Sequence, residues 1–226
     1  MLEIIAMTVD DAKAIEEVGA DRIELVSALS EGGVTPSYAV IKRVVQSVDI
    51  PVNVMIRPHA KSFIYSKEDA DIMKEDINIV KDLGANGVVL GALDKDGDIC
   101  EEFLEDVLYV CQGLEVTFHR AIDDLKDPVQ GIKKLSKYKE IKTILTSGGR
   151  GYIGSNTSVI KEMIENAGHI NVMIGGGLNL ENIRDIANLT GATEYHFGTA
   201  VRYNKSCFGD IDRKSLEKLV SIVGGK

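Results

Sequence analysis

A phrase of the form Gly-Ala-polar-x-apolar recurs three times, as GADRIEL (residues 19–25), GANGVVL (84–90) and GATEYHF (191–197). Each copy closes a helical stretch and opens a strand. Glycine at that point supplies the left-handed conformation that ends a helix, and the β-rich run directly behind it leaves room only for a short turn. A chain assembled from such joints must alternate helix and strand along its length.

Short β-branched or apolar runs bounded by turn residues mark eight strands: Glu3 to Ala6, Arg22 to Val26, Val52 to Arg57, Gly87 to Ala92, Val116 to Ala121, Thr143 to Ser147, Asn171 to Gly175 and Tyr195 to Thr199. A helical pattern follows each. Helix starts are predicted at Thr8 with Asp11, Ser66 with Asp69, Asp127 before Pro128, and Asn179 before Leu180 and Glu181. Stops are predicted at Gly19, Gly84, Gly113, Gly168 and Gly191. Eight βα units with near-continuous apolar strands predict an α/β chain folded as one domain over residues 1–226, a (β/α)8 TIM-type barrel. An open doubly wound sheet is the alternative. It would break the alternation or carry a longer crossover near the middle, and the sequence shows neither.

Composition narrows the function classes. The formal net charge is −9 and no basic stretch offsets it, which argues against nucleic acid and anionic membrane surfaces as partners. Residues 1–9 lack a cationic start and a long apolar run, so neither a secretory leader nor a membrane span is expected, and the expected location is the cytoplasm. The three cysteines form no CxxC pair and no disulfide framework. Cys100 and Cys111 fall on one predicted helix, roughly 16 Å apart along its axis, too far to grip one ion. Cys207 sits in the last long loop, and all three read as packing or incidental thiols. The acidic loop from Asp94 through Asp96 to Asp98 lacks the glycine spacing of a calcium loop and reads as a solvated turn.

Strand-to-helix connections are long after the second (Ser27 to Pro36), third (Pro58 to Ser66), fourth (Leu93 to Ile99), sixth (Gly148 to Asn156) and eighth (Ala200 to Asp210) strands. That places elaboration at the C-terminal mouth, where such barrels build their sites. If Ile23, Leu25, Val54, Ile56, Phe118 and Phe197 face the helices, the opposite parity faces the axis. This inward set is polar: Glu3, Arg22, Glu24, Asn53, Arg57, Thr117, His119, Glu194 and His196. Glu3, Arg22, Asn53 and Glu194 lie nearer the N-terminal ends, where a compensating ion network is expected. Glu24, Arg57, His119 and His196 lie nearer the mouth, with Ser147 close by, and are the candidate functional group. His119 is foremost, as a general acid or base beside Arg57 and Glu24. Arg120 has the opposite parity and reaches the axis only if the strand has already ended; His59 and His169 are loop residues without an expected role. Gly175, Gly176 and Gly177 after the seventh strand, with Gly198 and Thr199 after the eighth, are a candidate anion site, since exposed amides at these turns grip phosphate in many barrels. Tight turns alone would equally require the glycines.

Nearly the whole chain, in order, resembles the CutC family. The matching stretches are GADRIELVSALSEGGVTPS (residues 19–37), VMIRP (54–58), FIYS (63–66), GVVLGALDKDG (87–97), VTFHRAID (116–123), ILTSGG (144–149), IGGG (174–177) and TEYH (193–196). The resemblance implies a barrel fold and a cytosolic role in copper homeostasis or tolerance, with copper as the implied ligand and no organic cofactor. Many members of the family carry Cys where this chain has Val26, and commonly read RGGDF where residues 59–63 read HAKSF. Soft Cu(I) prefers thiolate or thioether ligands, and Met55 is the one sulfur expected on the inward face near the mouth. Two functions therefore stand side by side: a copper-handling protein, or an enzyme acting at the barrel mouth on a small anionic metabolite, with or without a phosphate. In the second, Arg57 and the glycine turns would hold the anion while His119 and Glu24 move protons. Assembly into an oligomer is open on either reading.

Overall fold

The computed structural model describes residues 1–224. Its strands are β1 (Leu2–Ala6), β2 (Arg22–Leu25), β3 (Val52–Met55), β4 (Gly87–Leu90), β5 (Glu115–Phe118), β6 (Ile141–Thr146), β7 (Asn171–Ile174) and β8 (Glu194–Phe197). Each is followed by a helix, namely α1 (Val9–Val18), α2 (Tyr38–Val45), α3 (Lys67–Asp82) and α4 (Glu101–Val110) in the first half. The second half adds α5 (Pro128–Leu135), α6 (Thr157–Glu165), α7 (Ile183–Thr190) and α8 (Arg213–Val223). All pairings are parallel and in chain order, and β1 also pairs with β8, closing the barrel through Glu3 opposite His196. The open-sheet alternative is thereby excluded.

Local chemistry accounts for most helix ends. The Thr8 side chain accepts from the Asp11 amide, Asp127 accepts from the Gln130 amide with Pro128 in the first turn, and Ser66 and Asp69 form a reciprocal capping box. Gly19, Gly84, Gly113, Gly168 and Gly191 all have positive φ, as expected of helix stops. One start differs: α7 begins at Ile183, and Asn179 instead accepts from the Glu181 and Asn182 amides in a turn ahead of the helix. An asparagine side chain supports such a turn as readily as a cap, so the local signal was real but the helix lay one turn later.

Two apolar layers result from strand alternation. Ile23, Leu25, Val54, Ile56, Phe118 and Phe197 pack between sheet and helices, each fully or almost fully buried, and each such side chain contributes roughly 1.5–3 kcal/mol. A second, small apolar cluster of Ile5, Val26, Met55 and Val89 forms apart from the main core. Glu3, Arg22, Asn53 and Thr117 are buried within the barrel as the parity predicts.

Candidate functional site at the barrel mouth

β5 ends at Phe118, earlier than the predicted Ala121, and His119 caps a short 3₁₀ turn over Arg120–Asp124 in extended conformation. The Ala121 amide donates to His119 Nδ1 at 3.2 Å. That bond leaves the ring proton on Nε2, which is buried and has no hydrogen-bond partner among the described residues. Burial, reinforced by the positive charges of Arg57 and Arg120, drives the imidazole pKa down to about 3. His119 is thus a neutral hydrogen-bond donor at neutral pH. Its ring stands 4.7 Å from the Phe63 ring, centroid to centroid, and occupies space that only a glycine at position 91 leaves: a Cβ there would lie 2.7 Å from His119 Nδ1.

Arg57 stands beyond the end of β3, stacked over Phe63 with its guanidinium carbon 4.9 Å from the ring centroid. Its Nη1 donates to the carbonyls of Glu31 and Gly33, both at 2.9 Å, and its Nε is buried without a partner. Three arginines are buried in the described residues, Arg22, Arg57 and Arg202. Arg22 is paired with Glu3 and Arg202 with Asp11, whereas Arg57 has only carbonyl partners.

Arg120 joins the mouth because the strand ends before it, which is the condition its parity set. Its Nε donates to Asp123 at 2.8 Å and its Nη2 to the Ser147 hydroxyl at 3.0 Å. Asp123 is itself buried and accepts from the Thr146 hydroxyl and from Ser147 through both amide and hydroxyl, so Ser147 serves as scaffold beneath Arg120. Asp123 and Phe63 were not among the predicted site residues. Asp123 was legible only as the last letter of VTFHRAID, and Phe63 only as an aromatic in the loop after β3.

Glu24 and His196 do not stand apart from the floor network as the depth argument expected. His196 Nδ1 donates to Glu3 at 2.8 Å, Glu3 also binds Arg22 at 2.5 Å, and His196 Nε2 lies 3.7 Å from Glu24 Oε2. Burial alone would lower the His196 pKa, but Glu24 and Glu3 outweigh it and the net shift is upward. For Glu24 burial dominates and raises the carboxyl to about 7, the attraction of His196 notwithstanding. Burial would likewise raise Glu3, yet its bonds to His196 and Arg22 hold it below the ordinary carboxylate range. Glu24 and His196 thus each hold a proton more tightly than in water, Glu24 because it is buried and His196 because two carboxylates face it. Asn53 and Glu194 remain on the floor, where Asn53 accepts from Asn86 at 2.9 Å.

These groups surround a cavity of about 400 Å³ that Glu24, Arg57, His119, Arg120 and His196 all line. Gly176, Gly177, Gly198 and Thr199 line it as well. Gly175 does not: it packs behind, where a Cβ would meet Leu145 at 2.9 Å and His196 at 3.0 Å. At Gly176, with φ +79°, a Cβ would come 2.6 Å from the Arg120 guanidinium carbon, so the guanidinium lies flat on the turn.

The sulfur atoms lie elsewhere. Cys100 and Cys111 cap opposite ends of α4, Cys207 is in the loop after β8, and none lines the cavity. Burial pushes the Cys111 thiol up to about 12, and its Sγ donates to the Val107 carbonyl. Met55 lines the cavity; Met173 also points inward, deeper, against Arg22 at 3.5 Å. A mouth of carboxylate, imidazole and guanidinium with one thioether does not fit the soft donor set that Cu(I) takes. The loop after β4 is an ordinary turn in which Asp94 accepts from the amides of Asp96 and Asp98.

Comparison with known proteins places this arrangement. The chain is 44% identical over 197 residues to a human protein named copper homeostasis protein cutC homolog, covering 87% of this chain and 72% of that one. It is 39% identical to a CutC family protein of Pasteurella multocida, over 86% of this chain and 80% of its relative. The crystal structure of CutC from Streptococcus agalactiae superposes with a TM-score of 0.82 at 34% identity, covering 88% and 97% of the two chains. Phosphoribosylanthranilate isomerase from Thermococcus kodakaraensis shares the fold, with a TM-score of 0.68 at 17% identity. The CutC family model matches residues 1–201, the span that carries all eight strands and every side chain of the mouth, and the chain belongs to that family.

Proposed function

We propose that this chain serves copper homeostasis, the role for which its relatives are named, by binding a small anionic metabolite at the barrel mouth and not by carrying Cu(I) on thiolates. The observation that carries the reading is Arg57, a buried guanidinium with carbonyl partners only, in a cavity it shares with an uncharged histidine. A buried cation without a counter-ion is costly, and an anionic ligand supplies the missing charge. Arg120 and the turns at Gly176, Gly177, Gly198 and Thr199 would bind the same anion. His119 Nε2 would donate to a carbonyl or phosphoryl oxygen of the ligand, and Glu24, with its proton affinity near neutrality, would exchange a proton with it. The site we propose is therefore enzymatic in kind and lies in a cytoplasmic protein; no helix among the described residues is long and apolar enough to cross a membrane.

The test is a thermal-shift screen of the full chain against phosphorylated and carboxylated metabolites, with Cu(I) under reducing conditions as a separate arm. A ligand that binds only the native state raises stability with the logarithm of its excess over Kd. Stabilisation by an anion, lost in Arg57→Met, is the expected result. Stabilisation by Cu(I) alone would overturn the reading.

A further inference from the structure

The floor of the cavity carries a second arrangement. Glu3, Glu24 and His196 bring one ligating atom each within 4.8 Å of one another, from three strands on both sides of the barrel seam. Their partners are unequal. Glu3 is fully engaged by Arg22 and by His196 Nδ1, whereas Glu24 Oε1 is buried with no partner among the described residues. Between His196 Nε2 and Glu24 Oε2 the separation is 3.7 Å. That is longer than a hydrogen bond, so the two groups face each other without bonding directly. Two ligands on one tetrahedral zinc ion, at bond lengths near 2.1 Å, stand about 3.4 Å apart.

We propose that Glu24 and His196 hold one first-row divalent cation of borderline softness at the base of the cavity, with Glu3 as the residue that positions the imidazole. The Glu3 carboxylate accepts from Nδ1 and so presents the Nε2 lone pair toward Glu24, which is the carboxylate–histidine–metal relay common to zinc sites. The unpartnered Glu24 Oε1 gives the ion a second carboxylate oxygen or a bound water a hydrogen-bond acceptor. Both ligand residues line the cavity, so the remaining coordination positions open toward whatever occupies the mouth. The oxygen and nitrogen donors select a divalent ion over Cu(I). The proposal goes beyond the anion-binding reading and does not rest on it. In the ion-bound form Glu24 is a ligand, and its part as proton acceptor passes to water on the ion.

Metal-stripped full-length protein dialysed against Zn²⁺ at neutral pH, with bound metal counted by atomic emission, is expected to take up one ion per chain. Cys207→Ser and His169→Gln should retain it. Glu24→Gln should weaken it by about ten-fold or more, and Glu3→Gln by a similar factor through loss of orientation. Circular dichroism establishes that each variant is folded. Should Glu24→Gln not fold, zinc-edge anomalous scattering from crystals of the wild-type protein decides: a peak bonded to His196 Nε2 supports the site. No stoichiometric uptake, full retention in folded Glu24→Gln, or a peak at another residue would overturn it. Anion binding is measured on the zinc-free chain, so either result stands without the other.

Discussion

His119 and Glu24 titrate in opposite senses, and each leaves its own mark on stability. An unfolded imidazole takes a proton near pH 6.5 while the buried ring resists until about pH 3, so unfolding takes up a proton between those values. Stability from this residue is intact above pH 6.5 and is lost as pH falls toward 3. His119→Gln should therefore flatten the acid limb of a urea-denaturation series, and an unchanged limb would mean that the folded imidazole is charged. For Glu24 the carboxyl rises from 4.5 to about 7, so its contribution is present below pH 4.5 and is lost as pH rises through 7. Glu24→Gln should match the wild type near pH 4.5 and exceed it above pH 7 in the same assay. Arg57→Met strands no carboxylate, since its partners are carbonyls. Its melting temperature should stay unchanged or rise, in contrast with the loss of about 3–5 kcal/mol that follows breaking a buried ion pair. Val26 packs with Met55 inside the barrel, and Val26→Cys would set a thiolate beside that thioether. A chromogenic-chelator competition should then show tighter Cu(I) binding than in the wild type.

At the scale of elements, the βα joints and caps were legible because each is decided within a few residues. Glycine supplies positive φ, a serine or aspartate side chain captures an amide, and alternation sorts the faces. The end of β5 was not legible. Val116 to Ala121 is apolar enough to continue as a strand, and what stops it is tertiary: Asp123 is captured by Thr146 and Ser147 of the neighbouring strand end, and the backbone turns at His119 to deliver it. That turn brings Arg120 into the mouth. The split of polar residues into floor and mouth was legible by depth for Asn53 and Arg57. Glu24 and His196 line the mouth cavity with Arg57 and His119, but their link to Glu3 was not legible, since pairing across the β8 to β1 to β2 seam depends on register, which strand-by-strand reading does not supply. Gly91 belongs to this scale as well. Its φ carries no demand for glycine, yet a Cβ would collide with the His119 ring. Gly91→Ala should cost about 1–3 kcal/mol through overpacking, and should abolish anion binding by displacing the ring, as read by calorimetry.

For the whole molecule, closure depends on a charged seam. Arg22, Glu3 and His196 tie β2, β1 and β8 together beneath the cavity. Arg22→Met strands the buried Glu3 carboxylate and should destabilise the fold by about 3–5 kcal/mol in equilibrium denaturation, with Glu3→Gln in the same chain recovering part of the loss. A change within experimental error would mean that solvent reaches the floor. The seam also has a history. The Met1 ammonium donates to the Thr193 carbonyl at 2.8 Å across a sequence separation of 192 residues. During synthesis the first strand therefore waits with one flank open for roughly 10–40 s at about 5–20 residues per second. An open flank invites pairing with other chains, and an inward-pointing charge on it makes such pairing unfavourable. Glu3 is that charge: until β8 arrives with His196 it guards the newborn edge, and the same carboxylate then fastens the finished ring.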